Sequence, residues 1–146
     1  MGGCGLGKGE NALDNYCKSV VIEANTMVDM ARKQILPAVE AYAAELAGSA
    51  AAKRALVPEL ACGYETGLTR KLSILADQIA MKTDELESAV LELKDSDGVI
   101  AESYAIRDRI LGKMASLRAV ADEAETLTAE KYWPFPTYGE LLFGVR

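Results

Sequence analysis

The sequence contains no histidine among its 146 residues. Ser-His-Asp triads, His-ligated zinc sites and the Glu-x-x-His motif of di-iron bundles are therefore excluded. Aromatic residues make up only 6% of the chain. The three cysteines, Cys4, Cys17 and Cys62, are odd in number and lack the spacing of a metal or redox motif. We expect free thiols, as in a reducing cytoplasm.

Long apolar runs and a net positive charge are also lacking. No stretch approaches 18 apolar residues, and the first residues do not contain the apolar segment of a signal peptide. The formal net charge is −6 and the isoelectric point is near 4.8. An acidic chain of this kind is poorly suited to bind nucleic acid or an anionic membrane. We therefore expect a cytoplasmic protein with neither kind of partner.

Helix-forming residues dominate what is present. Half of the residues are hydrophobic, alanine and leucine are the commonest of them, and the length fits one domain. Residues 1–10 are rich in glycine and are interpreted as a flexible lead-in, either native or a remnant of cloning. After them, apolar residues recur every three or four positions and strand-like alternation is absent. The sequence predicts an all-α protein.

Three long helices are predicted, at about residues 11–46, 66–93 and 99–129. Gly48 and Ser49 are expected to end the first helix and to start a short connector helix over residues 50–56. Residues 95–98 are expected to form a tight turn. This order predicts an antiparallel bundle over residues 11–131.

The apolar spacing also predicts which side chains face the core. In the first helix the spacing continues past Pro37, so we expect a bend there and no end of the helix. The predicted core positions are Leu13, Cys17, Val20, Ala24, Met27, Ala31, Ile35, Val39, Tyr42 and Leu46, then Leu68, Leu72, Leu75, Ile79, Leu86, Val90 and Leu93, and finally Ile100, Tyr104, Ile110, Met114, Leu117, Ala121, Ala124 and Leu127.

The last segment, residues 132–146, differs from the rest. It contains the only tryptophan, both phenylalanines and two of the four prolines. Two prolines spaced by one residue cannot continue a helix, so we expect an extended strap. Leaving such an apolar strap in water is costly, which predicts that it docks on its own bundle, on another domain or on another chain, although a disordered binding motif is an alternative. The predicted interaction residues are Trp133, Phe135, Tyr138, Leu142 and Phe143.

Two further patterns in the sequence resemble binding sites. Residues 2–9 resemble a phosphate-binding loop, but Gly9 stands where serine or threonine is required and no strand precedes it. Asp122 and Glu125 share a helix face, with Glu123 and Glu130 nearby, but no second cluster with ligand spacing accompanies them and a solvated face explains them better. No catalytic, cofactor-binding or metal-binding residue is predicted.

Three stretches resemble a known family. Residues 25–39 (NTMVDMARKQILPAV) are similar to the start of the C-terminal helical region of type III glutamine synthetases, residues 117–127 (LRAVADEAETL) to its last long helix, and residues 133–143 (WPFPTYGELLF) to its end. The resemblance covers about residues 15–146. It implies a chain that corresponds to the C-terminal domain of a much longer enzyme.

That resemblance also implies where the chemistry lies. The family ligates ammonia to glutamate with ATP and Mg²⁺, in a catalytic domain upstream whose motifs do not occur in this sequence. The implied role is structural: packing on the missing catalytic domain of the same polypeptide and contributing to a homo-oligomer. The alternatives are a free-standing helical adaptor that binds a partner helix and a bundle enzyme with a carboxylate metal site. A metal-binding assay separates the last from the others.

Overall fold

The computed structural model describes residues 3–93 and 103–136, with side chains from residue 12 onwards apart from that of residue 107. Within these ranges there are helices and no strands, so the all-α prediction is confirmed. The helices are α1 (Gly3–Met30), α2 (Leu36–Leu56), α3 (Gly63–Leu93) and α4 (Leu111–Leu127). There are also two π-helical turns, Ala31–Ile35 and Ile106–Ile110, and a 3₁₀ turn, Glu130–Tyr132. Residues 103–105, directly before the second π turn, are α-helical.

α1, the first π turn and α2 follow one another without interruption. The prediction that the helix continues past Pro37 is therefore confirmed. Pro37 has no N–H to donate and its ring would crowd the carbonyl one turn earlier. The π turn directly before it widens the helix, and the Leu36 N–H bonds to the Ala31 carbonyl, five residues back.

The predicted end of the first helix at Gly48 and Ser49 is wrong. α2 continues to Leu56, so residues 50–56 are the last two turns of α2 and not a separate connector helix. Leu46 and Ala50 are both buried on the same helix face. Their burial on both sides of Gly48 outweighs the roughly 1 kcal/mol that glycine costs inside a helix.

A six-residue connection joins α2 to α3. The Val57 N–H closes α2 on the Lys53 carbonyl at 2.8 Å. Cys62 takes φ 49°, a left-handed conformation that is unfavourable for a residue with a side chain. Hydrogen bonds hold it there: its carbonyl accepts from the N–H and the hydroxyl of Thr66, at 3.0 and 2.8 Å. α3 consequently begins at Gly63, slightly before the predicted start.

The predicted turn at residues 95–98 and the predicted core residue Ile100 lie outside the described residues. Beyond them, Tyr104 was predicted to face the core and is 56% exposed, whereas Ile106 is fully buried. The second π turn begins at Ile106 and adds a residue to the helical turn. Core positions before this turn therefore do not continue the spacing of the core positions after it.

Ion pairs fix the relative direction of the helices. Arg32 contacts Asp84 at 2.7 Å and Lys53 contacts Glu65 at 2.8 Å, so α3 runs antiparallel to the first helical segments. α4 runs antiparallel to α3 in turn, because Lys82 lies opposite Ser116 (2.6 Å) and Glu85 opposite Lys113 (3.8 Å).

The core is one cluster of buried side chains drawn from all of these helices. Most predicted core positions belong to it, but Leu13 is 37% exposed, and Met27 and Tyr42 are half-buried beside their buried neighbours Val28 and Ala43. The largest fully buried side chains among the described residues are Leu72, Ile79, Leu86, Ile106, Ile110, Leu117, Val39, Thr83 and Cys17. The hydroxyl of Thr83 is satisfied by donating to the Ile79 carbonyl at 2.6 Å.

One end of the structure is formed by α2 and α3 alone. Extending the antiparallel order of the α3–α4 contacts places Leu127, the last residue of α4, beside Lys71. The end of α2 and the start of α3 therefore project beyond α4. We call residues 50–72 the hairpin tip; between residues 51 and 71 only Glu65 is buried, and its side chain is paired with Lys53.

Candidate functional site

The chain reverses direction after α4. Thr128 and Ala129 leave the helix in extended conformations, and the 3₁₀ turn is closed by the Trp133 N–H, which bonds to the Glu130 carbonyl at 3.1 Å. The segment that follows returns along α4. Trp133 is extended, with φ −76° and ψ 124°, as the flanking proline requires.

This returning segment seats two aromatic side chains on the core. Trp133 and Phe135 are half-buried, pack against the core cluster and meet edge to face, with ring centroids 6.2 Å apart and planes at 76°. That arrangement suits the quadrupoles of the two rings. Two of the five predicted interaction residues are thus described, and Tyr138, Leu142 and Phe143 lie outside the described residues. Whether the five contact another domain or chain stays a prediction.

Beside the two rings lies an open cleft of about 360 Å³. We call it the tail cleft. The end of α1 and the first π turn supply its apolar floor through Met27, Met30 and Ile35, and Leu117 lies opposite on α4. Its rim is polar: Asp122, Glu125 and Arg118 all border it, and Arg118 also approaches the sulfur of Met27 at 3.9 Å. An apolar floor with a charged rim is the usual form of a protein-docking surface.

A polar clasp holds the 3₁₀ turn on α2. The hydroxyl of Tyr132 donates to the Glu45 carboxylate, and Lys131 lies 3.5 Å from the same group. The hydrogen bond from Tyr132, reinforced by Lys131, holds the pKa of Glu45 below its ordinary value. The same bond raises the pKa of Tyr132. Sequence reasoning missed Glu45, because its partners lie almost 90 positions away and no local pattern marks it.

Aromatic contacts extend this clasp towards the hairpin tip. The rings of Tyr132 and Tyr42 are 5.5 Å apart, and the hydroxyls of Tyr42 and Tyr64 are 3.4 Å apart. The hydrogen bond with Tyr64, together with partial burial, raises the pKa of Tyr42 to about 12. A row of three tyrosines therefore runs from the end of α4 to the start of α3.

A second polar cluster fixes the first π turn, which forms part of the cleft floor. Arg32 donates to Glu87 and to Asp84, each at 2.7 Å. These bonds raise the pKa of Arg32 and hold that of Glu87 below its ordinary value. Two charge-assisted bonds from one guanidinium orient it far better than a single exposed ion pair would. The floor of the tail cleft is thus tied to α3.

The acidic residues that the sequence offered as an alternative site are spread along α4 and the 3₁₀ turn. Asp122, Glu123 and Glu130 are exposed and Glu125 is half-buried. Among the described residues, no group of three or more histidine, cysteine, aspartate or glutamate side chains is arranged to hold a metal ion. In the same part of the chain, no helix is both long and apolar enough to cross a membrane.

Part of the sequence is similar to that of a known protein family. The family model described as the glutamine synthetase C-terminal domain matches residues 8–54, which cover most of α1, the first π turn and most of α2. Residues 8–54 are thus similar in sequence to glutamine synthetase C-terminal domains. The predicted resemblance is thereby confirmed.

Curated relatives extend this similarity over most of the chain. A glutamine synthetase of Butyrivibrio fibrisolvens is 32% identical over 137 residues, which are 94% of this chain and 20% of the relative. A type-3 glutamine synthetase of Dictyostelium discoideum is 24% identical over 136 residues, covering 88% of this chain and 18% of the relative. The chain thus spans about a fifth of the length of these relatives. No solved structure matches the chain significantly.

Proposed function

We propose that this chain is the non-catalytic C-terminal structural domain of a glutamine synthetase polypeptide, folded as an antiparallel bundle of three long helices. One observation carries the proposal: 94% of the chain aligns with only 20% of a glutamine synthetase. An alignment that covers nearly all of one chain and a small part of the other is expected when the first chain corresponds to one domain of a longer enzyme. In the parent enzyme, ligation of ammonia to glutamate with ATP and Mg²⁺ takes place in a separate catalytic domain of the same polypeptide.

The surface of the bundle supports a docking role within that enzyme. The tail cleft has an apolar floor, and its two aromatic side chains are only half-buried. Large apolar side chains are also exposed elsewhere, among them Ile22 (65%) and Leu56 (83%). The half-buried aromatic pair beside the apolar cleft is the contiguous patch among these, and such patches mark contact surfaces. We propose that these surfaces pack on the catalytic domain and on other subunits of a homo-oligomer in the cytoplasm.

The catalytic part of the proposal is tested with the chain alone. We expect neither glutamine nor phosphate above background when the purified chain is incubated with glutamate, ammonia, ATP and Mg²⁺. A preparation of the Butyrivibrio fibrisolvens relative serves as the positive control. Turnover that survives repurification of the chain and scales with its concentration would contradict a non-catalytic role.

The structural part is tested in a chimera. The region of the Butyrivibrio fibrisolvens enzyme that this chain matches is either deleted or replaced by this chain. We expect the deletion to lose assembly and activity together and the replacement to recover both, measured by light scattering and by glutamine formation. Replacement with a chain carrying Trp133→Ala and Phe135→Ala tests the cleft in the same background. A deletion with unchanged size and activity would show that this domain is dispensable.

A further inference from the structure

The hairpin tip differs in charge from the rest of the chain. Residues 50–72 contain four basic residues, Lys53, Arg54, Arg70 and Lys71, and only two acidic ones, Glu59 and Glu65. The chain as a whole carries −6, so the remainder is strongly acidic. Lys53 and Glu65 lie 2.8 Å apart and neutralise each other, which leaves Arg54, Arg70 and Lys71 against Glu59. The tip is a basic end on an acidic molecule.

The same tip exposes apolar side chains. Leu56 is 83% exposed, Tyr64 68% and Leu60 42%. Leu56 and Tyr64 flank the connection between α2 and α3 and Leu60 lies within it, beyond the point where α4 ends. Exposed apolar groups beside positive charge form a surface that suits an apolar acceptor with a negative rim.

The tail cleft has those properties. Its floor is apolar, and its rim carries two acidic residues, Asp122 and Glu125, and one basic residue, Arg118. Between residues 119 and 130 there are four acidic residues and no basic one. The apolar end of the tip cannot reach the cleft floor of its own copy, because the 21 residues of α2 between Ile35 and Val57 span about 32 Å. Two tips are also unsuited to each other, since both are basic.

We propose that the hairpin tip of one copy of this chain docks in the tail cleft of a second copy. The proposal rests on the oligomeric role proposed above and names the two surfaces that carry it. Leu56, Leu60 and Tyr64 meet the apolar floor, while the basic residues of the tip face Asp122 and Glu125. The two surfaces are different, so the contact is heterologous and generates rings or open chains of copies.

The test is self-association of the whole chain, measured by sedimentation over a range of concentrations and salt. A contact built from one tip is small, so we expect dissociation constants of about 10–1,000 µM and weaker association at higher ionic strength. Leu56→Asp in the tip is expected to weaken association at least tenfold. So is the double charge reversal Asp122→Lys with Glu125→Lys at the cleft. Leu91→Asp is the matched control, because Leu91 is 55% exposed on α3 outside both surfaces.

Mixing the two variants tests whether the contact joins two different surfaces, the tip of one copy and the cleft of another. The tip variant keeps an intact cleft, and the cleft variant keeps an intact tip, so an equal mixture can form one complete contact. We expect the mixture to form heterodimers with the dissociation constant of the unaltered chain, while each variant alone stays monomeric. Circular dichroism confirms that each variant is folded.

Three results would overturn the proposal. The first is an unaltered chain that stays monomeric up to about 1 mM, and the second is association that survives both sets of changes or is not restored by mixing. The third is association that appears only after residues 137–146 are deleted, which would show that the chain's own end occupies the cleft. The chimera experiment is independent of all three, since it reports on assembly of the longer enzyme.

Discussion

At the scale of single residues, α3 contains two isoleucines in opposite environments. Ile79 is fully buried and Ile74 is 52% exposed. We expect Ile79→Ala to reduce the free energy of unfolding by about 2–5 kcal/mol, because it removes buried methyl groups and leaves a cavity. Ile74→Ala on the same helix should cost less than about 1 kcal/mol. Urea denaturation followed by circular dichroism measures both, and similar losses would show that the core face of α3 is misassigned.

Replacing Gly48, in contrast, is expected to increase the stability of the protein. Gly48 lies inside α2, and a Cβ added there would have no atom within 4 Å. Alanine is better than glycine in a helix interior by about 0.5–1 kcal/mol, so Gly48→Ala should stabilise the protein by that amount. Gly112→Ala, in equally open space on α4, provides an independent repeat. Thermal melts of the two variants check the prediction, and a loss of stability in both would contradict it.

The core residues of α3 illustrate what could be predicted from sequence. Leu72, Leu75, Ile79, Leu86, Val90 and Leu93 were predicted from apolar spacing and are buried. Spacing works there because α3 is a regular helix over 31 residues. It was wrong for Tyr104, directly before a π turn, because spacing analysis assumes 3.6 residues per turn throughout. The first π turn precedes Pro37, but no proline stands near the second one to mark it in the sequence.

At the scale of elements, the 3₁₀ turn and the returning segment are held by the clasp between Tyr132, Lys131 and Glu45. Because the folded pKa of Glu45 is lowered, its contribution is fully present above the ordinary glutamate pKa and is lost as pH falls through the lowered value. We expect acid to loosen the segment before the bundle unfolds. Fluorescence of Trp133, the only tryptophan, should shift to longer wavelength in that range.

Two variants isolate this effect. Glu45→Gln and Tyr132→Phe should each give, at neutral pH, part of the shift that acid produces, and each should remove the acid transition itself. Glu40→Gln is the matched control, since Glu40 is an exposed glutamate on the same helix. An acid transition of unchanged midpoint in Glu45→Gln would show that another group controls the segment.

The clasp contains a residue of the site that could not be predicted from the sequence. Trp133 and Phe135 were predicted to interact because their apolar surface and the neighbouring prolines are visible in the sequence itself. Glu45 could not be predicted, since its role depends on the 3₁₀ turn bringing Tyr132 back to α2. The charge contrast between the hairpin tip and the cleft rim is present in the sequence. The sequence does not show that the apolar end of the tip and the floor of the cleft lie at different levels along the molecule, because that depends on the order and direction of the helices.

At the scale of the whole molecule, burial is uneven along its length. Between residues 51 and 71 only Glu65 is buried, whereas the middle of the structure contains the largest buried side chains. Segments with few buried contacts open locally at lower free energy than the core. In hydrogen exchange by mass spectrometry we expect amides of residues 51–70 to exchange at least tenfold faster than those around Ile79 and Val39. Equal protection would show that the tip unfolds only together with the core.

The two π turns bear on how the helices could have changed in length during evolution. A π turn contains one more residue than the α-helical turn it replaces, so it absorbs a single inserted residue without disturbing the helix on either side. Ala31–Ile35 and Ile106–Ile110 are therefore the places in these helices where an insertion or deletion would be tolerated. Homologous chains should differ in length by one residue at these two points more often than elsewhere in the same helices. Such gaps in an alignment would record where ancestral helices were lengthened.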